Sequence, residues 1–365
     1  MRVAALSVLG FRNLAHAEIP LGEGINLAWG ANGAGKTNLL DALYTGLAGR
    51  SCRTRNDREA IAFGEPLARA SAEVVAGPER HTFMTAISHR EGRRQRVDGA
   101  PVEGRHSALR PALAVFLPDR LVLVKGPPAA RRAHLDGFCA ALWPGRSEIR
   151  RRYSRALAQR NALLARVRSG SAGPGSLDAW DRELADAGAE LIATRAAAAS
   201  VLEPEFAAAA GALGLEGEAS LEYAPRAEAA TAAELAAELG RRRGGDLDRG
   251  YTTHGPHLDE LALRLDRRPL RRYGSQGQQR VAVLALLFAE REALLAGGRP
   301  APLMLLDDVT SELDPERRRL LCSRLAEGGG QALLTATEPG ELPADRRTEI
   351  ALRAGRAITA AAEAA

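Results

Sequence analysis

The sequence predicts an α/β fold in which both ends of the chain form one domain and a helical domain is inserted between them. A glycine-rich stretch at residues 30–38 lies between a strand and a helix, helical periodicity dominates the middle of the chain, and strand patterns return after residue 250. We therefore predict an α/β domain formed by residues 1–130 and 250–365. The inserted domain, residues 131–249, is predicted to be helical and to resemble a short antiparallel coiled coil.

Composition bounds the class of protein. The 365 residues are 45% hydrophobic and 26% charged, which is enough for a sizeable core. The formal net charge of +5 favours an anionic partner, and nearly all of the basic residues are arginine, with lysine only at Lys36 and Lys125. The three cysteines, Cys52, Cys139 and Cys322, form no CxxC pair, which is typical of a reduced compartment.

The N-terminal region predicts strands. Val3–Val8 is interpreted as a strand and not as a signal peptide, because the apolar run is short and is broken at Arg12 and Asn13. Further strands are predicted at 25–30, 70–76, 81–88 and 112–118, with a hairpin over 90–102 that turns at Asp98–Gly99. Since no stretch is long and apolar enough to cross a membrane, we expect a cytoplasmic protein with no membrane partner.

The middle of the chain predicts helices. Residues 147–168 place apolar side chains on one side of a helix, and the glycine-rich segment 169–176 breaks it. A second helix begins at Leu177 with apolar residues alternating by three and four, which predicts an antiparallel pair with a narrow seam. The alanine-rich stretch to about residue 240 is predicted to be helical, and "GRRRGGDLDRG" (240–250) is predicted to be a loop.

The C-terminal region returns to alternating strands and helices. Strands are predicted at 261–266, 302–308 and 331–337, and a helix at 315–326. Between them, "RRYGSQGQQRVAVLALLFAE" (271–290) begins a buried helix, with Ser275 at the N-cap and Gly277 leaving the first turn bare. A capped and unobstructed helix start is a potential anion site, although the stretch alone equally fits plain capping.

The glycine-rich stretch "GANGAGKTN" (30–38) matches the phosphate-binding P-loop, G-x-x-x-x-G-K-[ST], and follows a strand and precedes a helix as that loop requires. Its glycines let backbone N–H groups point at phosphates, Lys36 reaches the β- and γ-phosphates, and the Thr37 hydroxyl ligates Mg²⁺. The predicted nucleotide-binding residues of this loop are Gly30, Ala31, Asn32, Gly33, Ala34, Gly35, Lys36, Thr37 and Asn38.

The apolar strand "PLMLLDD" (302–308) supplies the second half of such a site. A buried strand that ends in acid delivers a carboxylate to the metal, which we assign to Asp307. Asp308 is placed to orient or deprotonate the attacking water, so Asp308 and Lys36 are the predicted catalytic residues. These two motifs predict a nucleoside triphosphatase without separating kinases, GTPases, helicases and ABC-type ATPases.

The order of motifs makes the resemblance specific. A P-loop, a long helical insertion, S-x-G-Q at a helix start and then "LLDDVTSELD" (305–314) are similar to the head of the SMC and ABC ATPase superfamily. Within it the chain resembles the RecF family of bacterial DNA replication and repair proteins. The segments behind the resemblance are "GFRNL" (10–14), "GANGAGKTNLLDALY" (30–44), "GRSCRTR" (49–55), "LVKGPPAARRAHLD" (123–136), "RALAQRNALL" (155–164), "THGPHLDEL" (253–261) and "SQGQQR" (275–280).

The resemblance implies an ABC-type ATPase head whose site is completed by a second copy. Two heads sandwich two ATP molecules, and the signature residues Ser275, Gly277 and Gln278 cap the γ-phosphate held by the partner. Arg12 and Arg53 lie in segments that line the nucleotide in related heads, with a salt-bridged surface arginine as the alternative. Thr337 takes the place of a switch histidine. The Q-loop region should lie near "FLPDRL" (116–121), where "LPD" departs from the S/T-P-E expected of the family and no clear Q-loop glutamine is present.

The resemblance also implies the partners. It predicts an ATP-dependent homodimer and a slow, DNA-stimulated ATPase that acts with RecR and RecO to help load RecA at single-strand/double-strand junctions, in repair, replication-fork maintenance and the SOS response. Arginine clusters at 90–96, 131–132, 150–155, 241–243 and 267–272 suit sequence-independent duplex binding, although each alone also fits a solvated face. With aromatic residues at only 4%, a base-stacking platform is disfavoured.

Other interpretations are weaker. A transporter ATPase subunit predicts a shorter chain, a switch histidine and a Q-loop, and an SMC-like tether needs a far longer coiled coil than residues 131–249 allow. His254, His257 and Asp259 have a spacing that permits a metal, but the resemblance explains them as a structured loop. Lys125 fits either a DNA or interdomain contact or a solvated loop.

Overall fold

The computed structural model describes residues 1–102, 109–117, 121–309, 313–327, 329–341 and 347–358. Its contacts divide the chain into two compact units: unit one is Met1–Arg120, Ala212–Gly214 and Leu294–Ala365, and unit two is Leu121–Gly211 and Leu215–Ala293. These contact-based units group residues 251–293 with the helices, so they are not the domains that the sequence predicts, and the predicted boundaries stay a prediction. Residues 118–120 of the predicted Q-loop region and Ser311 of the "SELD" loop lie outside the described residues.

Unit one contains two six-stranded sheets. The first is antiparallel, in the order β2-β1-β4-β5-β6-β7, with Leu6 of β1 opposite Ala72 of β4. Its strands are β1 (Arg2–Phe11), β2 (Leu14–Pro20), β4 (Leu67–Ala76), β5 (Glu79–Ser88), β6 (Gly92–Val97) and β7 (Ala100–Pro101). The predicted N-terminal strand and the hairpin turning at Asp98–Gly99 are confirmed, since both turn residues have positive φ, 52° and 80°.

The second sheet is mostly parallel, in the order β15-β14-β3-β13-β12-β8. Its strands are β3 (Ile25–Trp29), β8 (Leu113–Phe116), β12 (Leu303–Leu306), β13 (Ala332–Ala336), β14 (Arg347–Arg353) and β15 (Arg356–Ile358). The parallel register sets Leu306 beside Leu334, and Ala336 beside Trp29. The carboxyl ends of β3, β12 and β13 therefore meet at one edge of the sheet, which is where open α/β sheets bind ligands.

Two further helices belong to unit one, α1 (Lys36–Ala48) and α9 (Pro315–Glu327). Helix α1 contacts strands of both sheets, and its Leu39, Leu40, Leu43 and Leu47 are at most 1% exposed. Burying such side chains stabilises the unit by roughly 1.5–3 kcal/mol each. The first turn of α1, which follows the P-loop, is thereby fixed against the core.

Unit two is mainly helical. Its elements are α2 (Val122–Lys125), α3 (Pro128–Leu142), α4 (Ile149–Arg168), α5 (Leu177–Ala212), β9 (Ala219–Ala224), α6 (Ala232–Arg249), β10 (Glu260–Leu265), β11 (Arg268–Pro269), α7 (Leu270–Tyr273) and α8 (Gln276–Ala296). The last residue of α5 and the last three of α8 fall in unit one. The predicted seam is confirmed, because Leu184 and Leu191 of α5 are buried in one cluster with Tyr153 of α4.

Two predictions for this unit are wrong. The segment 240–250 is not a loop but the end of α6, which begins with a capping box between Thr231 and Glu234 and stops at Gly250. Asp246 of that segment is fully buried and accepts a hydrogen bond from the buried Arg160, at 2.8 Å. The alanine-rich stretch is not wholly helical either, because β9 pairs antiparallel with β10.

None of the helices in the described part of the chain combines the length and the apolar character that crossing a bilayer requires.

Candidate functional site

The P-loop connects β3 to α1 at the carboxyl edge of the parallel sheet. Gly33 and Gly35 have φ of 82° and 110°, the left-handed region that favours glycine. A Cβ at Gly35 would lie 2.9 Å from the Asn13 side-chain oxygen, so this position also needs glycine for space. The Asn13 amide in turn donates to the Gly33 carbonyl at 3.0 Å, which holds the loop against the start of β2.

Lys36, the first residue of α1, lies under this loop. Its ammonium donates to the carbonyl oxygens of Gly30, at 2.7 Å, and Ala31, at 3.3 Å, and the side chain is 8% exposed. The charge is therefore held beside the backbone that the motif predicts to wrap phosphates. An anion in the loop would meet a cation that the fold has already desolvated, which strengthens the attraction.

Thr37 and Asp307 are brought together from positions 270 residues apart. The Thr37 hydroxyl lies 3.0 Å from each Asp307 carboxylate oxygen. Asp307 follows β12, and its carboxylate also accepts from the Thr335 hydroxyl of the neighbouring β13, at 2.8 Å. Thr335 is fully buried, so two hydroxyls and the sheet fix where this carboxylate points.

Asp308 follows with a different orientation. Its φ of 48° is left-handed, a conformation that Asp tolerates better than most residues, and its backbone N–H donates to the Thr335 hydroxyl at 2.8 Å. The single hydroxyl of Thr335 thus donates to one acid and accepts from the backbone of the next. Asp308 lines the same cavity as Asp307.

Burial raises the pKa of the Asp307 carboxyl, and its hydrogen bonds with Thr335 and Thr37 lower it by less. A buried carboxylate is costly unless a cation or hydrogen bonds compensate. The donor set here, one carboxylate and one hydroxyl, consists of the hard oxygen ligands that Mg²⁺ prefers, and Mg²⁺ typically takes few protein ligands. The residues present therefore fit the predicted metal.

These side chains line one cavity of about 260 Å³. Its walls are formed by Asn32, Gly33, Gly35, Lys36, Thr37, Asn38, Arg53, Asp307, Asp308 and Thr335. Arg53 donates to the Asn38 side-chain oxygen at 2.7 Å, and Asn38 donates to Asn13 at 2.7 Å. The structure therefore brings most of the predicted nucleotide and metal residues to one place, with the arginine of "GRSCRTR" at the rim.

Arg12 lies elsewhere. Its guanidinium pairs with the fully buried carboxylate of Asp41 on α1, at 2.9 Å, and it is not among the residues that line the cavity. Asp41 also accepts from the Ser51 hydroxyl, at 2.8 Å, and Ser51 accepts from the Arg53 backbone N–H, at 3.0 Å. Asp41 therefore anchors the segment that carries Arg53, whereas the predicted nucleotide contact of Arg12 stays a prediction.

The start of α8 lies in unit two. Ser275 accepts a hydrogen bond from the Gln278 backbone N–H at 3.2 Å, and the Gln278 side chain accepts from the Ser275 N–H at 2.8 Å. This reciprocal pair is a capping box, so the predicted N-cap at Ser275 is confirmed. Ser275 is exposed, and the atom nearest to a Cβ built on Gly277 is the Ser275 hydroxyl oxygen, at 3.9 Å. The helix start is consequently open to solvent.

The segment with His254, His257 and Asp259, like Lys125, does not line the P-loop cavity. His257 contacts the Tyr153 hydroxyl at 2.7 Å and the Thr252 carbonyl at 3.1 Å, while Asp259 pairs with Arg195 at 3.0 Å. Burial lowers the pKa of His257. Lys125 is exposed at the end of α2.

Sequence reasoning missed three residues of this site. Asp41, Ser51 and Asn13 act through hydrogen bonds between segments that are distant in the chain. All three stand inside quoted motifs, "GFRNL", "GANGAGKTNLLDALY" and "GRSCRTR", so a polar residue within a motif and away from its phosphate-binding positions was the available signal.

Known proteins with a similar sequence indicate one family. The family model described as "RecF/RecN/SMC N terminal domain" matches residues 2–349. The chain is 40% identical over 351 residues to "DNA replication and repair protein RecF" of Anaeromyxobacter sp. (strain Fw109-5), covering 93% of each chain. It is 38% identical over 355 residues to the protein of the same name from Myxococcus xanthus (strain DK1622), covering 93% of this chain and 91% of the relative.

Solved structures agree. "Structure of the recombination mediator protein RecF-ATPrS in RecFOR pathway" superposes with a TM-score of 0.85 at 26% identity, covering 98% of both chains. An Smc head bound to the C-terminal winged-helix domain of ScpA has a TM-score of 0.61 at 15% identity, covering 99% of this chain and 98% of the other, which is a likeness of fold alone. The predicted class, an α/β ABC-type ATPase head, is confirmed, and the chain belongs to the RecF family.

Proposed function

We propose that this chain is an ATP-dependent DNA-binding protein of recombinational repair and replication-fork maintenance. In this proposal an ATP-driven dimer clamps duplex DNA beside single-stranded gaps, and slow hydrolysis releases it. The observation that carries the proposal is the convergence of Lys36, Thr37 and Asp307 on one cavity at the carboxyl edge of a parallel sheet. The names of the relatives, and a solved structure described as the recombination mediator protein RecF-ATP, support it.

Nucleotide binding is assigned to the P-loop. Its backbone N–H groups and the Lys36 ammonium hold the phosphates, and Asn38 and Arg53 form the rim of the same cavity. Thr37 and Asp307 would hold Mg²⁺, which when bound neutralises charge on the β- and γ-phosphates. Thr335 keeps Asp307 oriented through the 2.8 Å hydrogen bond between them.

Hydrolysis is assigned to Asp308, which lines the cavity beside Asp307. Its carboxylate orients the attacking water and accepts the water proton, while Lys36 stabilises charge on the transferred phosphoryl group. Positioning and electrostatics supply most of the acceleration in such reactions, so small misplacements of these groups cost much of the rate. A slow enzyme is expected if the cavity is completed only when two copies meet.

The second copy would supply Ser275, Gly277 and Gln278. The open start of α8 combines a hydroxyl, a position without a side chain and the partial positive charge of a helix N-terminus, all of which suit a γ-phosphate. ATP then bridges the two copies, and hydrolysis lets the dimer dissociate. The proposal thus includes an ATP-dependent homodimer.

The remaining parts rest on family membership. We propose a cytoplasmic protein that acts with RecR and RecO to help load RecA, in repair and in the SOS response. The head is assigned to residues 1–130 and 250–365 and the helical domain to 131–249. DNA is bound through its phosphates and without sequence preference, since exposed arginine is abundant and aromatic residues are 4% of the chain.

The ATPase rate measured against protein concentration, with and without gapped duplex, tests this proposal. A site shared between two copies predicts a rate that rises more than linearly with protein concentration, and gapped duplex should raise it further. The same series with Lys36→Ala controls for a contaminating ATPase. A strictly linear dependence would contradict the shared site, and an unchanged rate with DNA at low salt would contradict the DNA assignment.

A further inference from the structure

The arginine clusters differ in how much of their charge the protein itself neutralises. In four of the five clusters, at least half of the guanidinium groups pair with a carboxylate. The pairs are Arg93–Asp57, Arg94–Glu91, Arg131–Glu260, Arg150–Asp136, Arg151–Glu148, Arg152–Glu190, Arg242–Glu238 and Arg243–Asp178. An arginine that is already paired has less net charge to offer a phosphate, and breaking its pair offsets part of the gain.

The fifth cluster is different. Arg267, Arg268, Arg271 and Arg272 are all exposed, and within the described part of the chain none of their guanidinium groups forms an ion pair. The carboxylate of the adjacent Asp266 accepts from the Glu218 backbone N–H at 2.9 Å, and one acid does not balance four guanidinium groups. These four residues, called the Arg267–Arg272 surface below, therefore carry net positive charge.

The backbone under this surface is well fixed. Asp266 and Arg267 both have positive φ, 48° and 64°, as in the tight turns that join antiparallel strands, and this turn joins β10 to β11. Helix α7 follows, with Leu270 1% exposed beneath it. The amide of Gln279, 2% exposed, donates to the carbonyl oxygens of Leu270 at 2.9 Å and Gly274 at 3.0 Å, which ties α7 to α8.

A fixed scaffold that displays four uncompensated guanidinium groups suits a phosphate backbone. Arginine donates in a planar fork to phosphate oxygens, and holding the backbone rigid lowers the entropy lost on binding. Tyr273 is 60% exposed, but its ring lies 5.6 Å from the Arg272 guanidinium and one ring does not make a stacking platform. The chemistry therefore favours contact with duplex phosphates over reading of bases.

We propose that the Arg267–Arg272 surface is a principal phosphate-contact surface of this chain for duplex DNA. The inference rests on the proposed function, since it takes DNA to be the partner. It goes beyond that function by naming the DNA-binding surface and by relating that surface to the nucleotide site. Tyr273 and Ser275 are two residues apart, so DNA bound here lies beside the helix start assigned to the partner's ATP. Because α7 is tied to α8, DNA held on this surface would fix the position of the signature residues relative to the DNA, which gives DNA a route to stimulate hydrolysis.

The test compares two variants that remove the same number of charges. One is R267Q/R268Q/R271Q/R272Q, and the matched control is R150Q/R151Q/R152Q/R155Q, in which three of the four arginines are paired. Binding of a short labelled duplex is measured by fluorescence anisotropy with a slowly hydrolysed ATP analogue, over salt from about 50 to 200 mM. The slope of log K against log salt is negative, and each lost phosphate contact decreases its magnitude by about 0.9.

The expected result is that the magnitude of the slope decreases by about 3 to 4 in the first variant and by less than about 1 in the control. Equal slopes for the first variant and the unmodified protein would overturn the inference and leave the proposed function intact. If the unmodified protein itself bound no duplex, the proposed function would fail instead. The two failures are therefore distinguishable in one experiment.

Two further measurements guard the interpretation. ATP-dependent dimerisation without DNA, followed by light scattering, should be unchanged in the first variant. Its loss would mean that these arginines serve the partner's ATP phosphates and would overturn the DNA assignment. Thermal unfolding checks that each variant folds. If the fourfold variant does not fold, R271Q/R272Q, whose two positions are exposed on α7, should still decrease the magnitude of the slope by about 1 to 2.

Discussion

The P-loop cavity and the start of α8 are both assigned to ATP phosphates, yet they are built in opposite ways. The cavity is held by contacts inside unit one: Lys36, Asp307 and Thr335 are at most 8% exposed, Lys36 donates to the Gly30 carbonyl, and Thr335 donates to Asp307. Ser275 is exposed, and its side chain bonds only within the first turn that it caps, as far as the described residues go. In the proposed dimer, one copy would therefore suffice to bind nucleotide, and the start of α8 would act only when it meets the nucleotide of a second copy.

The largest expected effect comes from separating these two regions by mutation. Ser275→Arg should leave ATP binding by a single copy within about twofold, while ATP-dependent dimerisation is lost and hydrolysis falls by about 100-fold or more, since a preorganised transition-state contact is worth that much. The matched variant Lys36→Ala should lose both binding and hydrolysis. ATP binding is measured with a fluorescent analogue at protein concentrations too low for dimerisation.

The contrary outcome is equally clear. If Ser275→Arg bound ATP as weakly as Lys36→Ala did, the start of α8 would belong to the cavity of its own chain. The contrast between a complete binding site and an incomplete catalytic one would then be wrong.

A smaller effect is expected within the cavity itself. Thr335→Val keeps the shape of the buried side chain but removes the hydroxyl that donates to Asp307 and accepts from the Asp308 N–H. Losing such an orienting contact typically weakens metal binding by about 10- to 100-fold. We expect the Mg²⁺ concentration for half-maximal ATPase activity to rise by that factor, with nucleotide binding in EDTA unchanged. Thr335→Ser, which keeps the hydroxyl, is the control, and if it behaved as Thr335→Val did, side-chain packing and not the hydrogen bond would be responsible.

The same contrast shows how far the sequence could predict this site. The P-loop has fixed spacing and local geometry, so nine consecutive residues sufficed to place it after β3 and before α1. Thr335 falls inside the predicted strand 331–337, but its bond to Asp307 could not be predicted, because that bond depends on β12 and β13 being parallel neighbours in register. The ion pair of Arg12 with Asp41 could not be predicted for a similar reason, since the two residues meet only once the N-terminal strands pack against α1. The predicted nucleotide contact of Arg12 stays a prediction.

The errors in unit two have the same origin. "GRRRGGDLDRG" has the composition of a loop, because Gly244 and Gly245 are poor helix formers. Tertiary contacts decide otherwise, through a capping box at the start of α6 and a buried ion pair of Asp246 with Arg160. Leu177 and Leu184, by contrast, were predicted correctly, because their spacing reports burial without knowledge of the partner.

The smallest expected effect concerns the stability of the cavity without ligands. Burial raises the pKa of Asp307 in the folded chain above its value in the unfolded chain. The contribution of this carboxyl to stability is therefore fully present below the ordinary Asp pKa and is lost as pH rises through the raised pKa, so at neutral pH the buried charge is a cost. Asp307→Asn should then raise Tm at neutral pH, by on the order of 2 °C, and the advantage should vanish in acid.

Differential scanning fluorimetry across a pH series, without nucleotide or metal, measures this difference. Adding Mg²⁺ and ATP should reverse the order of the two proteins, because only the carboxylate gains from the ligand. If Asp307→Asn were less stable than the unmodified chain at every pH, its hydrogen bonds with Thr37 and Thr335 would outweigh its desolvation. The cavity would then be stable as it stands, and the cost of keeping a phosphate site ready would not lie in this carboxylate.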